Sequence, residues 1–456
     1  MRRLLFILDG LCEPSGVPTT MELARTPFLD DLARKGVLAS LDLQPESGTE
    51  EVPNTLPPSS ERGIMRLLGF PGENTPPRAT LLSCLFPRDE SEEETMAILL
   101  NPASFGTDER LGDYVGDSDS IGRLWSFFEP VQTGEWYSDP ESGLKIYPLR
   151  DARQKNILRL LVRVPKTMAD SVFVEEWSPP VSGRKYPRSA WWLMEKIGHL
   201  MDFSGRLNGF WPWGAGPWHN ARPFQKRDPS MGVMIAGAPI ARAIGAYMGL
   251  DHPFVPGASG EIDTDIESIM RVARKSLEDG ISPVVVHLEG FDLASHRKNR
   301  EEKRAFLERF DREAGSGILD LLDNGMVDRI ILTSDHRSSP QTGDHTPGPV
   351  PLLILGGGPK CPERPGVETD FVSRRRLQKN KAGGISPAGK RYGKVRGESS
   401  RHGFNCPEVW RHLGRFDRTD QACCGNCSKD DCLGRPGCGG CFGNGRGDRS
   451  TCEACP

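Results

Sequence analysis

The decisive stretch is HLEGFDLASHRKN at 287–299 with IILTSDHRSSPQTGDHTPGPVPLLILGGG at 330–358. It holds Asp292 and His296 at D-x-x-x-H spacing, the adjacent pair Asp335 and His336, and His345. An apolar, β-branched run precedes each of the first two groups: Val284, Val285 and Val286, then Ile330, Ile331 and Leu332. Such runs predict buried parallel strands. Their polar residues then emerge at the carboxyl ends, where open α/β sheets place ligand sites. Carboxylates and imidazoles left dry and unpaired at one sheet edge would be costly. A divalent metal satisfies them, because Asp and His are standard ligands of Zn²⁺ and, with more oxygen, of Mn²⁺. A helix-capping His or a turn Asp explains any one of these residues, but not all of them together at strand ends.

Working outward, residues 4–8 form a short apolar run ending in Asp9-Gly10, a carboxylate followed by a Gly that lets a ligand approach closely. TPFLDDLARKG at 26–36 predicts a helix with Thr26 as N-cap, Pro27 at its first position, a basic last turn and a Gly stop. A second strand follows over 37–43. NTLPPSSERGIMRLLGF at 54–70 runs from a Pro-rich loop into a short helix capped by Ser59 or Ser60. For such a serine to be a nucleophile, a metal must lower the pKa of its hydroxyl. After Phe86 the texture changes: 99–138 is loop-rich, 151–166 carries an apolar helical stripe, 172–177 predicts a strand and 189–201 a helix. FWPWGAGPW at 210–218 frames a pocket or covers the core edge. Strand and helix then alternate: strands over 231–238 and 253–256, helices over 239–248, 263–279 and 300–322.

This order predicts an α/β fold, a doubly wound, mostly parallel sheet with helices on both faces and an inserted smaller α+β domain. The expected boundaries are 1–86 and 205–375 for the core, 87–204 for the insertion, and 376–456 for a basic, Gly- and Cys-rich tail. The chain has 456 residues, 51 Gly, 38 Pro and a net charge of −4. Balanced charge points to neither nucleic acid nor an anionic membrane. The apolar run in MRRLLFILDG stops at Asp9, too short for a signal peptide, and no stretch is long enough to span a bilayer. A soluble, cytoplasmic protein is expected; its oligomeric state is not legible. Of 12 Cys, Cys423, Cys424, Cys427, Cys432, Cys438, Cys441, Cys452 and Cys455 crowd the tail. They could build structural Zn²⁺ sites, although no single finger spacing is matched.

Laid in order, these segments resemble the alkaline phosphatase superfamily, and more narrowly the archaeal-type, cofactor-independent phosphoglycerate mutases. LLFILDGL resembles that family's opening strand with its metal-binding Asp. TPFLDDLARKG resembles its TPN-x-D-x-LA-x-x-G helix, and PPSSERGIMRLLGF stands where the family carries PGSDT-x-H-x-x-x-x-GY. FWPWGAG is similar to IWLWGQG, VPGASGEIDTD to VPGATGYLDTN, and HLEGFDLASH to HVEAPDEAGH. The resemblance implies one metal on Asp292, His296 and His345. It implies another on Asp9, Asp335, His336 and the hydroxyl of Ser60, the nucleophile. Mn²⁺ or Zn²⁺ is the implied ion, with Co²⁺ and Mg²⁺ also compatible. The implied activity is interconversion of 3- and 2-phosphoglycerate, a small phosphorylated substrate, through a phosphoserine.

The chain departs from the pattern at several places. Ile64 replaces the His after the nucleophile loop and Glu61 the Asp after the Ser. The substrate-binding RCN segment is matched only by Asn101, and the Lys of the helix after ISAVDLI falls at Arg242. These departures leave two other readings open: a phosphatase or phosphomutase acting on another small ester, or a weakly active metal-binding homologue whose Cys-rich tail engages a partner.

Overall fold

The computed structural model describes residues 2–14, 18–43, 58–70, 75–86, 95–113, 137–138, 143–149, 159–165, 197, 207–218 and 232–356. In chain order the elements begin with β1 (Arg3–Leu8), α1 (Thr20–Leu23), α2 (Pro27–Lys35), β2 (Val37–Leu41), α3 (Ser60–Leu67) and α4 (Arg78–Ser83). Next come β3 (Met96–Phe105), β4 (Leu111–Asp113), β5 (Tyr137–Ser138), β6 (Lys145–Leu149), β7 (Arg159–Val164) and β8 (Gly209–Pro217). Then follow β9 (Val233–Ala236), α5 (Pro239–Tyr247), α6 (Ile266–Glu278), β10 (Val284–Leu288), α7 (Gly290–His296) and α8 (Arg300–Asp323). The last are β11 (Arg329–Thr333), β12 (Arg337–Ser338), β13 (His345–Thr346) and β14 (Val350–Gly356).

The short apolar runs form the central sheet, in the order β2-β14-β11-β1-β10-β9. β1 lies parallel to β10 and β11, with Leu5 opposite Val285 and Ile331, and β10 is parallel to β9. β14 runs antiparallel to both β11 and β2. Because strand side chains alternate, β1 feeds two cores. Leu4, Phe6 and Leu8 pack with Leu29 and Leu32 of α2, Ile269 of α6, and Phe306 and Phe310 of α8. Leu5 and Ile7 pack on the other side with Ile64 and Met65 of α3 and Ile240 and Ile244 of α5. Each such fully buried side chain contributes about 1.5–3 kcal/mol of transfer free energy.

A second sheet, in the order β4-β3-β7-β6-β5 with β8 also paired to β3, is antiparallel throughout. It corrects three expectations. Residues 159–164 of the predicted helical stripe are a strand, β7, whose Leu160, Leu161 and Val162 are fully buried. Packing against β3 and β6 overrode the helical periodicity. The expected loop-rich segment from 99 lies partly in β3, one of the longest strands. The aromatic stretch at 209–217 is β8, so this sheet extends past the expected boundary at 204.

Two smaller differences concern local structure. Residues 253–256 form no strand; a lone bridge from Asp251 to Val233 precedes them. Thr26 makes no side-chain cap bond at the start of α2. Asp311 of α8 does that work from outside, accepting hydrogen bonds from Leu29 N at 2.7 Å and Phe28 N at 3.4 Å. The strand expected at 172–177, nearly all of the helix expected at 189–201, and the whole tail with its cysteines lie outside the described residues.

Candidate metal centre and active site

Parity decides which residues meet. On β1, Leu5 and Ile7 face the α3 side, and Asp9 continues that alternation one step past the strand. On β10, His287 shares the face of Val285 and stands opposite Ile7 in the register. On β11, Ile331 faces the same way, and Thr333 and Asp335 follow at two-residue steps. The carboxyl ends of three adjacent parallel strands therefore deliver Asp9, His287 and Asp335 to one face, beneath the start of α3. Asp292 and His296 come one turn apart on α7, which begins directly after β10.

The first predicted set assembles as a unit. His296 Nε2 lies 3.0 Å from Asp292 Oδ2, and His345 Nε2 lies 3.3 Å from Asp292 Oδ1. Each ring is oriented from behind: His296 Nδ1 donates to the Gly343 carbonyl at 2.7 Å, and His345 Nδ1 to the Pro58 carbonyl at 2.8 Å. A carbonyl only accepts, so both Nδ1 atoms carry hydrogen, which leaves each Nε2 as the ring atom available to a metal ion. Those two Nε2 atoms face each other at 3.2 Å beside a carboxylate. Lone pairs so placed repel unless a cation stands between them, so this donor set fits a metal ion.

The second predicted set also converges, with a different sharing of ligands. His336 Nε2 lies 3.1 Å from Asp9 Oδ1, 3.6 Å from Asp335 Oδ2 and 3.1 Å from Ser60 Oγ. Within the tight clusters, however, Asp9 groups with Asp292 and His336, or with His287 and Asp335. Asp9, Asp292 and Asp335 are almost wholly buried. Asp335 Oδ2 has no hydrogen-bond partner among the described residues, the signature of a cradle shaped for a cation. Burial and the neighbouring carboxylates push Asp335 up to about 7. Burial opposes charge on His336, but the surrounding carboxylates outweigh it and raise that imidazole to about 10. In a site of this charge, protons and metal ions compete for the same atoms.

His287 is the participant that sequence reading missed. It is buried, with Nε2 3.2 Å from Asp9 Oδ2. Its signal was legible: one imidazole inside the otherwise apolar strand VVVHL. Behind the site, the fully buried Lys303 of α8 donates to the carbonyls of Gly10 at 2.8 Å and Ser338 at 3.1 Å and pairs with Glu13 at 3.1 Å. Ser338 Oγ in turn donates to Asp292 Oδ1.

Ser59 and Ser60 divide their roles. Ser59 is the N-cap of α3, its hydroxyl accepting from Arg62 N at 3.4 Å, whereas Ser60 Oγ points at His336. Among the described residues, those matched to substrate binding make their contacts away from this cluster. Asn101, buried in the second sheet, accepts a 2.8 Å hydrogen bond from Trp213 Nε1. Arg242 lies on α5, where burial lowers its pKa and Tyr147 partly offsets this. Ile64 points into the core and is fully buried.

A family model described as Metalloenzyme superfamily matches residues 1–381. A 2,3-bisphosphoglycerate-independent phosphoglycerate mutase of Methanopyrus kandleri is 26% identical over 392 residues, covering 77% of this chain and 87% of that protein. One from Methanothermobacter thermautotrophicus is 34% identical over 148 residues, covering 32% and 36%. A solved structure of a Pyrococcus horikoshii protein superposes with a TM-score of 0.55 at 21% identity, over 78% of this chain and 88% of that one. With the match running from the opening strand through every residue of the buried Asp/His cluster, this chain belongs to the metalloenzyme superfamily.

Proposed function

We propose that this protein is a metal-dependent phosphomutase that interconverts 3-phosphoglycerate and 2-phosphoglycerate through a phosphoserine at Ser60. The observation that carries the reading is the placement of Ser60 Oγ, 3.1 Å from His336 at the rim of a buried Asp/His cluster. The relatives' names supply the substrate. Asp292, His296 and His345 would hold one divalent ion, and Asp9, Asp335 and His336 with Ser60 a second. Mn²⁺ or Zn²⁺ suits these donors, as do Co²⁺ and Mg²⁺. Bound there, such ions supply the positive charge that favours an ionised serine and neutralises a phosphoryl group.

The chain's own groups do the rest. Ser60 Oγ attacks phosphorus in line, the ester oxygen leaves with the glycerate, and the phosphoryl group rests on Ser60. Glycerate turns, and its other hydroxyl takes the phosphoryl group back. Water must be kept out meanwhile, or the phosphoserine hydrolyses. An inserted domain built on the second sheet, closing over the edge of the first, would provide that exclusion. The test is a product assay: purified protein with Mn²⁺ and 3-phosphoglycerate, without added 2,3-bisphosphoglycerate, yields 2-phosphoglycerate, and an acid quench leaves phosphate on the Ser60 peptide.

One observation favours a second reading. Ile64 replaces a polar family residue and is fully buried, so it offers the substrate nothing. A phosphatase acting on another small ester fits that loss, and free phosphate accumulating in place of the isomer would establish it.

A further inference from the structure

Any anionic substrate approaching Ser60 meets a problem of charge. Asp9, Asp292 and Asp335 surround the site, and Glu61 adds another carboxylate beside the nucleophile. One cation answers Glu61. Arg78, the first residue of α4, places Nη1 3.0 Å from Glu61 Oε1. Although burial acts to raise the Glu61 pKa, this guanidinium leads the contributions that hold it below its ordinary range.

Arg78 also packs against the second sheet. Its guanidinium carbon lies 5.5 Å from the ring centre of Trp213, whose indole N–H is anchored on Asn101. Gly214, at φ +61°, lets β8 approach closely: a Cβ there would lie 3.3 Å from the Arg78 Cβ. The side chain is thus fixed on two sides, by a carboxylate from the nucleophile helix and by an aromatic face from the other sheet, yet remains 24% exposed. A guanidinium has five donors in a planar fork, and pairing with Glu61 leaves donors free to point outward.

Resting on the phosphoglycerate reading above, we propose that Arg78 is the specificity-determining residue that recognises the carboxylate of the phosphorylated acid. The metal centre takes the phosphoryl end, Glu61 and Trp213 hold the guanidinium plane, and the carboxylate docks on its free edge. Asn101 acts through Trp213 and not by touching substrate.

The experiment compares binding of 3-phosphoglycerate and of glycerol 3-phosphate, which lacks the carboxylate, to Mn²⁺-loaded protein by calorimetry. The unaltered protein prefers the acid by about 10- to 100-fold, the usual worth of a charge-assisted bidentate contact. Arg78→Met alone would strand Glu61 and weaken both anions, so the deciding variant is Arg78→Met with Glu61→Gln. In it the preference collapses to near one, glycerol 3-phosphate binds as before, and metal content is unchanged; Arg78→Lys retains part of the preference. A double variant that keeps the preference, or that weakens both ligands equally, overturns the assignment. Unaltered protein that converts phosphoglycerate without preferring the acid overturns it too. Metal-loaded protein that neither binds nor converts phosphoglycerate is a different result: it removes the phosphoglycerate reading, and the role of Arg78 falls with it.

Discussion

At the residue scale, two adjacent serines offer opposed outcomes. Ser59 caps α3, so Ser59→Ala should cost about 0.5–2 kcal/mol of stability, seen as a lower Tm, and leave turnover largely intact. Ser60→Ala removes the nucleophile: turnover should fall by several orders of magnitude, with metal content and Tm near those of the parent. A phosphoserine found at Ser59 would reverse the assignment. Asp292 belongs to more than one ligand cluster, so Asp292→Ala should reduce metal occupancy across the whole centre, whereas His296→Ala should spare the Asp9 side. Elemental analysis of the two variants distinguishes these results. His287 touches Asp9 from within the sheet; His287→Ala should weaken Mn²⁺ binding about 10- to 100-fold in titration, the usual effect of removing a group that orients a metal ligand.

At the element scale, the start of α2 shows how a helix signal and its N-cap position can be right while the capping bond comes from elsewhere. Thr26 stands at the N-cap position, but Asp311, distant in sequence on α8, accepts the N–H groups of Leu29 and Phe28. Asp311→Ala should therefore lower stability by about 0.5–2 kcal/mol in urea titration. Thr26→Ala should cost less, since no hydroxyl cap bond is lost. Equal effects from both would mean that Asp311 does not act as the cap. The same scale explains β7. Its sequence LLVRV admits a helical stripe or a buried strand, and the neighbours β3 and β6 chose the strand.

At the scale of the whole molecule, the family match ends at residue 381, beyond β14, the last strand among the described residues. The Cys-rich segment therefore lies outside the matched part of the chain. A protein truncated after 381 should keep its metal stoichiometry and its turnover of 3-phosphoglycerate within a few-fold of the full chain. A folded truncation that lost metal from the Asp/His centre would assign the tail a part in that site. No helix among the described residues is long and apolar enough to cross a membrane.

Local chemistry alone determined the parallel strands β1, β10 and β11, because short apolar runs leading into Asp or His carry both the strand and its ligand in nearly consecutive residues. It also determined which Asp and His residues were candidates and that Ser59 or Ser60 opened a helix. Three things depended on tertiary structure. His287 became part of the centre through the parity it shares with Ile7 across the β1–β10 pairing, which no single segment displays. The antiparallel sheet of β3–β8 is closed by partners more than a hundred residues apart where β3 meets β8, such as Leu99 and Trp213. The contact between Arg78 and Glu61 depended on α4 packing against β8, which brings Arg78 within reach of the Ser60 helix. Local pattern records what a residue can do; which charges and rings meet is set by register and packing between distant segments.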